Sequence, residues 1–341
     1  MQWVRAHAWE TVSILLAVAL VVALAMLLTD TEPTGSDAIE ASTTTSSPPT
    51  DEEIVTTTLD AESDTVAPVA AVSIAVVVDN VPDVGLQIGL NEADLLIEVP
   101  VEGGLSRFTA IYGENVPSLV GPVRSLRPVS ADLLALFDPV VYTTGGQGFV
   151  VGSVAATGAI IVTPEDSVAF QSLERPRPHD MFVTPEPLAT ATGAAGPWAG
   201  GEWAGGEPVS GVSLPLAGGV DWRFEGGVFV RYQGDAPQEV LDGPDGEAAP
   251  MTRETLILLM ANQKSAGYAD SAGADVPTFD VIGGGEVYVL HDGQVRRGLW
   301  TRSSQDAVFS FTDVDGSTLP IPPGSAYLAI VPDDEMPGLH D

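Results

Sequence analysis

Apolar residues along this chain come in short, dense runs separated by glycine, proline and Asp-Gly steps, a pattern of strands and tight turns. Val72 to Val78 (VSIAVVV) is almost continuously β-branched or apolar and ends at Asp79-Asn80, which predicts a buried strand running into a turn. Leu95 to Val99 predicts a second strand, stopped by Pro100. Leu105 to Tyr112 predicts a third, and its apolar residues fall on both faces, so it should be covered on both sides. A helix is expected from about Ala131 to Phe137 with Ser130 as its N-cap, then a strand at Val140 to Thr144. A short helix around Phe149 to Thr157 and a strand at Ile160 to Thr163 follow. This alternation predicts a mixed α/β N-terminal domain over residues 68–195.

The pattern then changes. Thr192 to Gly211 is rich in glycine, alanine and proline around Trp198 and Trp203, and reads as a linker or surface loop, bounded at 196–211. Hairpins follow: Val220 to Glu225 with Val228 to Gln233 around Gly226-Gly227, and Glu286 to His291 with Gln294 to Thr301 around Asp292-Gly293. Ala307 to Asp313 and Ser317 to Leu319 flank Asp315-Gly316, Ala326 to Val331 closes the series, and Thr255 to Ala261 reads as a buried strand. Residues 212–332 are therefore expected to form a mainly β domain, a sandwich or small barrel, followed by an acidic tail at 333–341. The overall class is α+β.

Ahead of both domains, Thr11 to Leu28 is an uncharged run of 18 residues. At a rise of about 1.5 Å per residue it reaches about 27 Å, near the minimum for a transmembrane helix. Arg5 precedes it and Asp30, Glu32 and Asp37 follow, which places residues 1–10 in the cytoplasm and the remainder outside the cytoplasmic membrane. A cleaved signal peptide is the alternative, since Ala23-Leu24-Ala25 fits a small-x-small site; both readings export the chain. Residues 29–67 are threonine, serine, proline and acids, too polar to fold alone, and make a disordered tether.

The chain carries 47 acids against 13 bases, a net charge of −34, which repels phosphate backbones and argues against nucleic-acid partners. It has no cysteine, hence no thiolate metal site or thiol nucleophile. The only lysine, Lys264, has no glycine-rich turn before it, so there is no Walker-type phosphate loop. Gly145 to Gly152 imitates a dinucleotide-binding turn, but its helix is short and Pro164 precedes the acid at Asp166, so no cofactor is expected.

Against that acidic background, arginine placement is informative. Arg124 and Arg127 sit in a proline-bounded segment, GPVRSLRP, that could aim both guanidinium forks at carboxylates, phosphates or sugar hydroxyls. Arg175, Arg177 and His179 share another proline-braced stretch, RPRPH, where the histidine suits hydrogen bonding or acid–base work. Glu98 and Glu102 flank a strand end, a spacing that permits a carboxylate pair with divided acid and base roles. Arginines neutralised by neighbouring acids within the fold are the plainer alternative. No metal site is expected, because no second histidine or cysteine accompanies His179.

VVVDN (Val76 to Asn80), EVPVEGGLSRF (Glu98 to Phe108), GPVRSLRP (Gly121 to Pro128), Gly145-Gly146 and RPH (Arg177 to His179) together resemble the YerB-like lipoprotein family, a bacterial domain of unknown function. FDVIGGGEVYVLHDGQVRRGLWTR, with Asp315-Gly316 and Pro322-Pro323-Gly324, resembles that family's separate C-terminal β domain, so the likeness runs from about residue 68 to 332. The resemblance implies an extracytoplasmic envelope protein and carries over Asp79, Asn80, Glu98, Glu102, Arg107, Arg124, Arg127 and His179 as the site, with Arg177 from the same RPH motif. Acylated cysteines are common in the family; this chain lacks one, which fits an exchange of the lipid anchor for a transmembrane helix. Three functions remain open: binding an anionic or hydroxyl-rich wall ligand in an arginine-lined groove, wall hydrolysis by Glu98 or Glu102 with His179, or a scaffold role presenting Trp198 and Trp203 to a protein partner.

Overall fold

A computed structural model describes residues 73–187 and 196–341. The expected membrane segment at 11–28 and the tether at 29–67 lie outside these residues. No helix among the described residues is long and apolar enough to cross a membrane.

The described chain is mainly β. Its largest sheet takes the strands Ser310–Asp313, Gln294–Arg302, Gly283–His291, Thr255–Ala261, Ala326–Pro332, Leu95–Pro100, Ser106–Tyr112, Ile74–Asn80, Val140–Tyr142 and Ile160–Val162 in that order, with Glu207–Pro208 added beside Gln294–Arg302. The central strands are apolar at nearly every position because both faces are covered. Ile74, Val76 and Val78 enter one core, while Ala75 and Val77 enter the other. The first core is closed by a second sheet, through Val212 and Leu214 of Gly211–Leu214, Trp222 of Val220–Glu225 and Phe229 of Val228–Gln233. The second core is closed by the helices Ser130–Leu134 and Gly148–Ala155 together with Trp300, Phe309 and Phe311. Three layers result, with the large sheet in the middle.

The mixed α/β expectation for the first half is met locally. Val140–Tyr142, the helix Gly148–Ala155 and Ile160–Val162 form a βαβ unit whose two strands pair in parallel. Ser130 does not cap its helix. Val129 holds the cap position, and the Ser130 hydroxyl instead accepts the Arg127 backbone N–H at 3.2 Å.

The hairpins of the second half form at Val220–Glu225/Val228–Gln233 and Gly283–His291/Gln294–Arg302. Their strands, however, do not close into a sandwich or barrel of their own. Ala326–Pro332 pairs in parallel with Leu95–Pro100, so one sheet runs through both halves of the sequence. The reason is that Leu95–Pro100 and Ala326–Pro332 are buried throughout or nearly so, and an unpaired edge there would strand backbone polar groups. Trp198 and Trp203 belong to a strap bonded along this sheet: Trp198 bridges to Phe309, Gly200 to Ile321, and the Trp203 indole donates to Gln294 Oε1 at 3.0 Å. Ser317 to Leu319 forms no strand beyond a single bridge between Thr312 and Thr318. Residues 333–341 end in the strand Gly338–His340, which pairs with Gly211–Leu214.

Candidate functional site

Strand alternation sorts the expected site residues onto opposite faces of the large sheet. Asp79 stands opposite Arg107, and Asn80 opposite Ser106, on adjacent antiparallel strands. One residue of offset therefore sends Asp79 and Arg107 toward the helical layer, while Asn80, Ser106 and Glu98 point at the second sheet.

On the helical side the segment 120–124 is laid against the strand of Asp79. Arg124 N–H donates to Val77 O at 2.8 Å, Asp79 N–H to Pro122 O at 2.9 Å, and Val123 N–H to Met181 O at 2.7 Å. Gly121 allows this close fit: its φ is 152°, and a Cβ there would lie 2.7 Å from the Phe182 ring. The two flanking attachments bring residues far apart in sequence onto one carboxylate. Arg124 Nε lies 2.9 Å from Asp79 Oδ2, an ion-pair contact without hydrogen-bond alignment, and His179 Nδ1 lies 2.7 Å from the same oxygen. Asp79 is wholly buried and its Oδ1 has no partner, while Arg124 is 25% exposed and His179 is 17% exposed.

Beside this group, Arg127 Nε donates to Glu102 Oε2 at 2.7 Å and its Nη2 pairs with Glu102 Oε1. Arg107 lies beneath, donating from Nη1 to Ser125 O at 2.7 Å, with its Nε unpartnered. Burial raises the Glu102 pKa, but the hydrogen bond from Arg127 and the charges of Arg127 and Arg107 outweigh it, leaving a net depression. Arg107 is pushed down to about 9, first by burial and then by repulsion from Arg127 and Arg124. It remains a cation at neutral pH. Three guanidinium groups here share two carboxylates, Asp79 and Glu102. Tyr268, from the hairpin Gln263–Ala269/Asp275–Phe279, feels the charges of Arg127, Glu102 and Arg107, and packs edge-on against Phe149 at 5.2 Å between ring centroids.

On the opposite face, Glu98 is fully buried. Arg231 Nη2 reaches both of its oxygens at 3.0 and 3.1 Å, Tyr327 OH donates to Oε2 at 2.6 Å, and Ser106 Oγ donates to Oε1 at 2.5 Å. Asn80 Nδ2 bonds Ser106 Oγ at 2.7 Å and Glu98 Oε1 at 3.1 Å, and Gln87 and Gln238 extend the network. Arg231 is itself fully buried and lies over the Phe108 ring, 5.2 Å from its centroid. This closed network offers no open carboxylate to an outside molecule.

The structure thus brings Asp79, Glu102, Arg107, Arg124, Arg127 and His179 to one region and separates Asn80 and Glu98 from them. Arg177 joins neither, with a side chain 88% exposed and only a 3.6 Å approach to Asp180. Most of these arginines are matched to an acid, and the cavities of about 990, 410, 380 and 410 Å³ are lined by other residues. Arg231, Tyr327, Gln87 and Tyr268 were not legible as partners. Arg231 did leave a trace, a charge in VFVRYQ on the same strand face as the core residue Phe229. Among the described residues no cluster of three His, Asp or Glu is placed to hold a metal ion.

The N-terminal domain of the family described as protein of unknown function DUF3048 matches residues 57–197, and the C-terminal domain of that family matches residues 215–328. The chain belongs to this family. It is 45% identical over 67 residues to YerB of Bacillus subtilis (strain 168), whose name includes the word lipoprotein; the alignment spans 20% of each chain, so only a fifth of that relative's length is matched. The crystal structure of the YerB protein from Bacillus subtilis superposes with a TM-score of 0.64 at 21% identity, covering 79% of this chain and 94% of that one, which shows a shared fold.

Proposed function

We propose that this DUF3048 protein is a membrane-anchored, extracytoplasmic module that binds an anionic, hydroxyl-rich ligand of the cell envelope at the rim formed by Arg124, Arg127 and His179. The observation that carries this reading is the cationic surplus. Arg107, Arg124 and Arg127 converge on two carboxylates, and burial followed by repulsion from Arg127 and Arg124 depresses the proton affinity of Arg107 within a chain of net charge −34. A carboxylate or phosphate docking on the exposed edge of Arg124, 25% accessible, and the smaller one of Arg127, 14% accessible, would relieve that repulsion. The envelope location rests on the uncharged segment Thr11 to Leu28 and on the lipoprotein name of the Bacillus relative.

A hydrolytic reading keeps one supporting contact. The buried Asp79 carboxylate fixes His179 through Nδ1, an arrangement suited to a general base. Glu98, locked to Arg231, has no part in it. Co-sedimentation of the full chain with purified, protein-free cell wall tests both readings. Wild type should pellet, and Arg124→Ala combined with Arg127→Ala should lower the bound fraction at least tenfold without releasing soluble wall fragments. Equal pelleting of wild type and variant overturns the binding reading. Release of fragments by wild type but not by His179→Ala replaces it with the hydrolytic one.

A further inference from the structure

A cavity of about 990 Å³ lies at the end of the large sheet opposite the arginine rim. It is lined by Leu95, at the start of the Leu95–Pro100 strand, whereas Glu98 and the turn of Glu102 lie toward or beyond that strand's finish. Five residue steps at about 3.3 Å put the two strand ends about 17 Å apart. The volume is at the upper end of the range, about 300–1,000 Å³, typical of small-molecule sites.

Its walls are tied by backbone bonds. On one side the strap carrying Trp198 is held by Gly201 N–H to Ile321 O at 3.0 Å, Ile321 N–H to Ala199 O at 3.1 Å and Phe309 N–H to Pro197 O at 2.8 Å. On the other, Ala326 N–H donates to Asp94 O at 2.9 Å, and Asp94 Oδ2 accepts Gly113 N–H at 2.7 Å. The lining is apolar at Trp198, Ile321, Pro322 and Pro323, acidic at Glu92, Asp94 and Glu202, and includes no lysine or arginine.

We propose that this cavity is a second binding site, one that takes an organic cation: a protonated amine carried on an apolar body. The carboxylates around it differ from those of the arginine rim and the closed network. Asp79, Glu98 and Glu102 each have a guanidinium partner, whereas Glu92, Asp94 and Glu202, which line the cavity, have none among the described residues. Burial, and then the nearby Asp242 charge, raise the Glu92 pKa above its ordinary value. A bound ammonium group would supply the missing counter-charge, Trp198 offers an indole for cation–π contact, and the proline wall covers the apolar body. Since nearby acids hold more protons at low pH, binding should strengthen as pH rises above about 4.5 and Glu92 ionises.

Calorimetric titration of the full chain with 4-phenylbutylamine and with its uncharged counterpart 4-phenylbutanol tests the site. The amine should bind at least tenfold tighter than the alcohol. Trp198→Ala and Glu202→Gln should each weaken the amine several-fold; the second alters an exposed side chain and leaves folding intact. Glu165→Gln, an exposed acid that does not line the cavity, should change nothing. Equal binding of amine and alcohol overturns the proposal. So does an equal loss on Glu202→Gln and Glu165→Gln, which would mean diffuse attraction to a body of net charge −34.

Discussion

Two polar clusters lie back to back on the same strands, and they are built by opposite rules. On the second-sheet face, Glu98, Arg231, Tyr327, Ser106 and Asn80 form a closed set in which each carboxylate oxygen is matched and no member reaches solvent appreciably. On the helical face, Asp79 keeps an unpartnered oxygen, Arg107 an unpartnered Nε, and Arg124 and His179 remain partly open. A carboxylate matched at both oxygens and sealed from solvent, even with Arg231 Nε and Nη1 left unpartnered, marks a device for holding sheets in register; surplus charge at a wet edge marks a place still able to accept something. Sequence proximity hides this contrast, because Asp79 and Asn80 are neighbours and serve different clusters.

Breaking the closed cluster should produce the largest effect. Arg231→Met leaves the buried Glu98 carboxylate without its cation and should cost about 3–5 kcal/mol, read from urea unfolding of the full chain. Glu98→Gln together with Arg231→Met removes both charges and should recover most of that loss. Wall binding by the folded double variant should match wild type. If the double variant loses wall binding, the two clusters are coupled and the separation by sheet face fails.

The degree to which each cluster could be read in advance follows from the same geometry. Central strands were legible where an apolar, β-branched run ends at a turn signal, as in Val72 to Val78 before Asp79-Asn80; Thr255–Ala261, with no such boundary, was the ambiguous run and forms a buried strand. The strand pairing of Ala326–Pro332 with Leu95–Pro100 was not, since parallel partners separated by more than two hundred residues leave no turn signal between them. Scarcity of cations singled out Arg124 and Arg127, the resemblance added Arg107, and the structure sets the three side by side; neither route could reveal that Glu98 is held by Arg231, which lies 133 positions away. Glu98 and Glu102 look like a pair at four-residue spacing. Pro100 and the turn at Glu102–Gly104 end the strand between them, so the even-numbered alternation that would have aligned them is lost.

A smaller, pH-dependent effect should distinguish the open cluster. The folded-state pKa of Glu102 is depressed, so its contribution to stability is fully present above the ordinary carboxylate value near 4.5 and fades as pH falls through the lowered folded value. Arg127→Ala removes the principal stabilising partner. The variant should melt below wild type at neutral pH, and the two melting temperatures should converge as pH drops under 4.5. A gap that stays constant down to acid pH would mean that Arg127 acts through packing and not through its pair with Glu102.

The smallest effect should come from Arg177, which tests how far the open cluster extends. It lies only two residues from His179 in the motif RPH, and sequence reading grouped it with the site. Its side chain is 88% exposed, and its nearest acid, Asp180, is 3.6 Å away, a geometry in which water and salt screen most of the attraction. Asp180 is also bonded by Ser172 Oγ at 2.7 Å and does not depend on Arg177 for its position. Arg177→Ala should therefore leave the melting temperature unchanged and retain wall co-sedimentation at 0.15 M salt, while Arg124→Ala under the same conditions weakens it. If instead Arg177→Ala abolishes binding and Arg124→Ala does not, the ligand meets the protein on the outer proline-braced loop, and the surplus of guanidinium charge around Asp79 serves only to hold that loop in place.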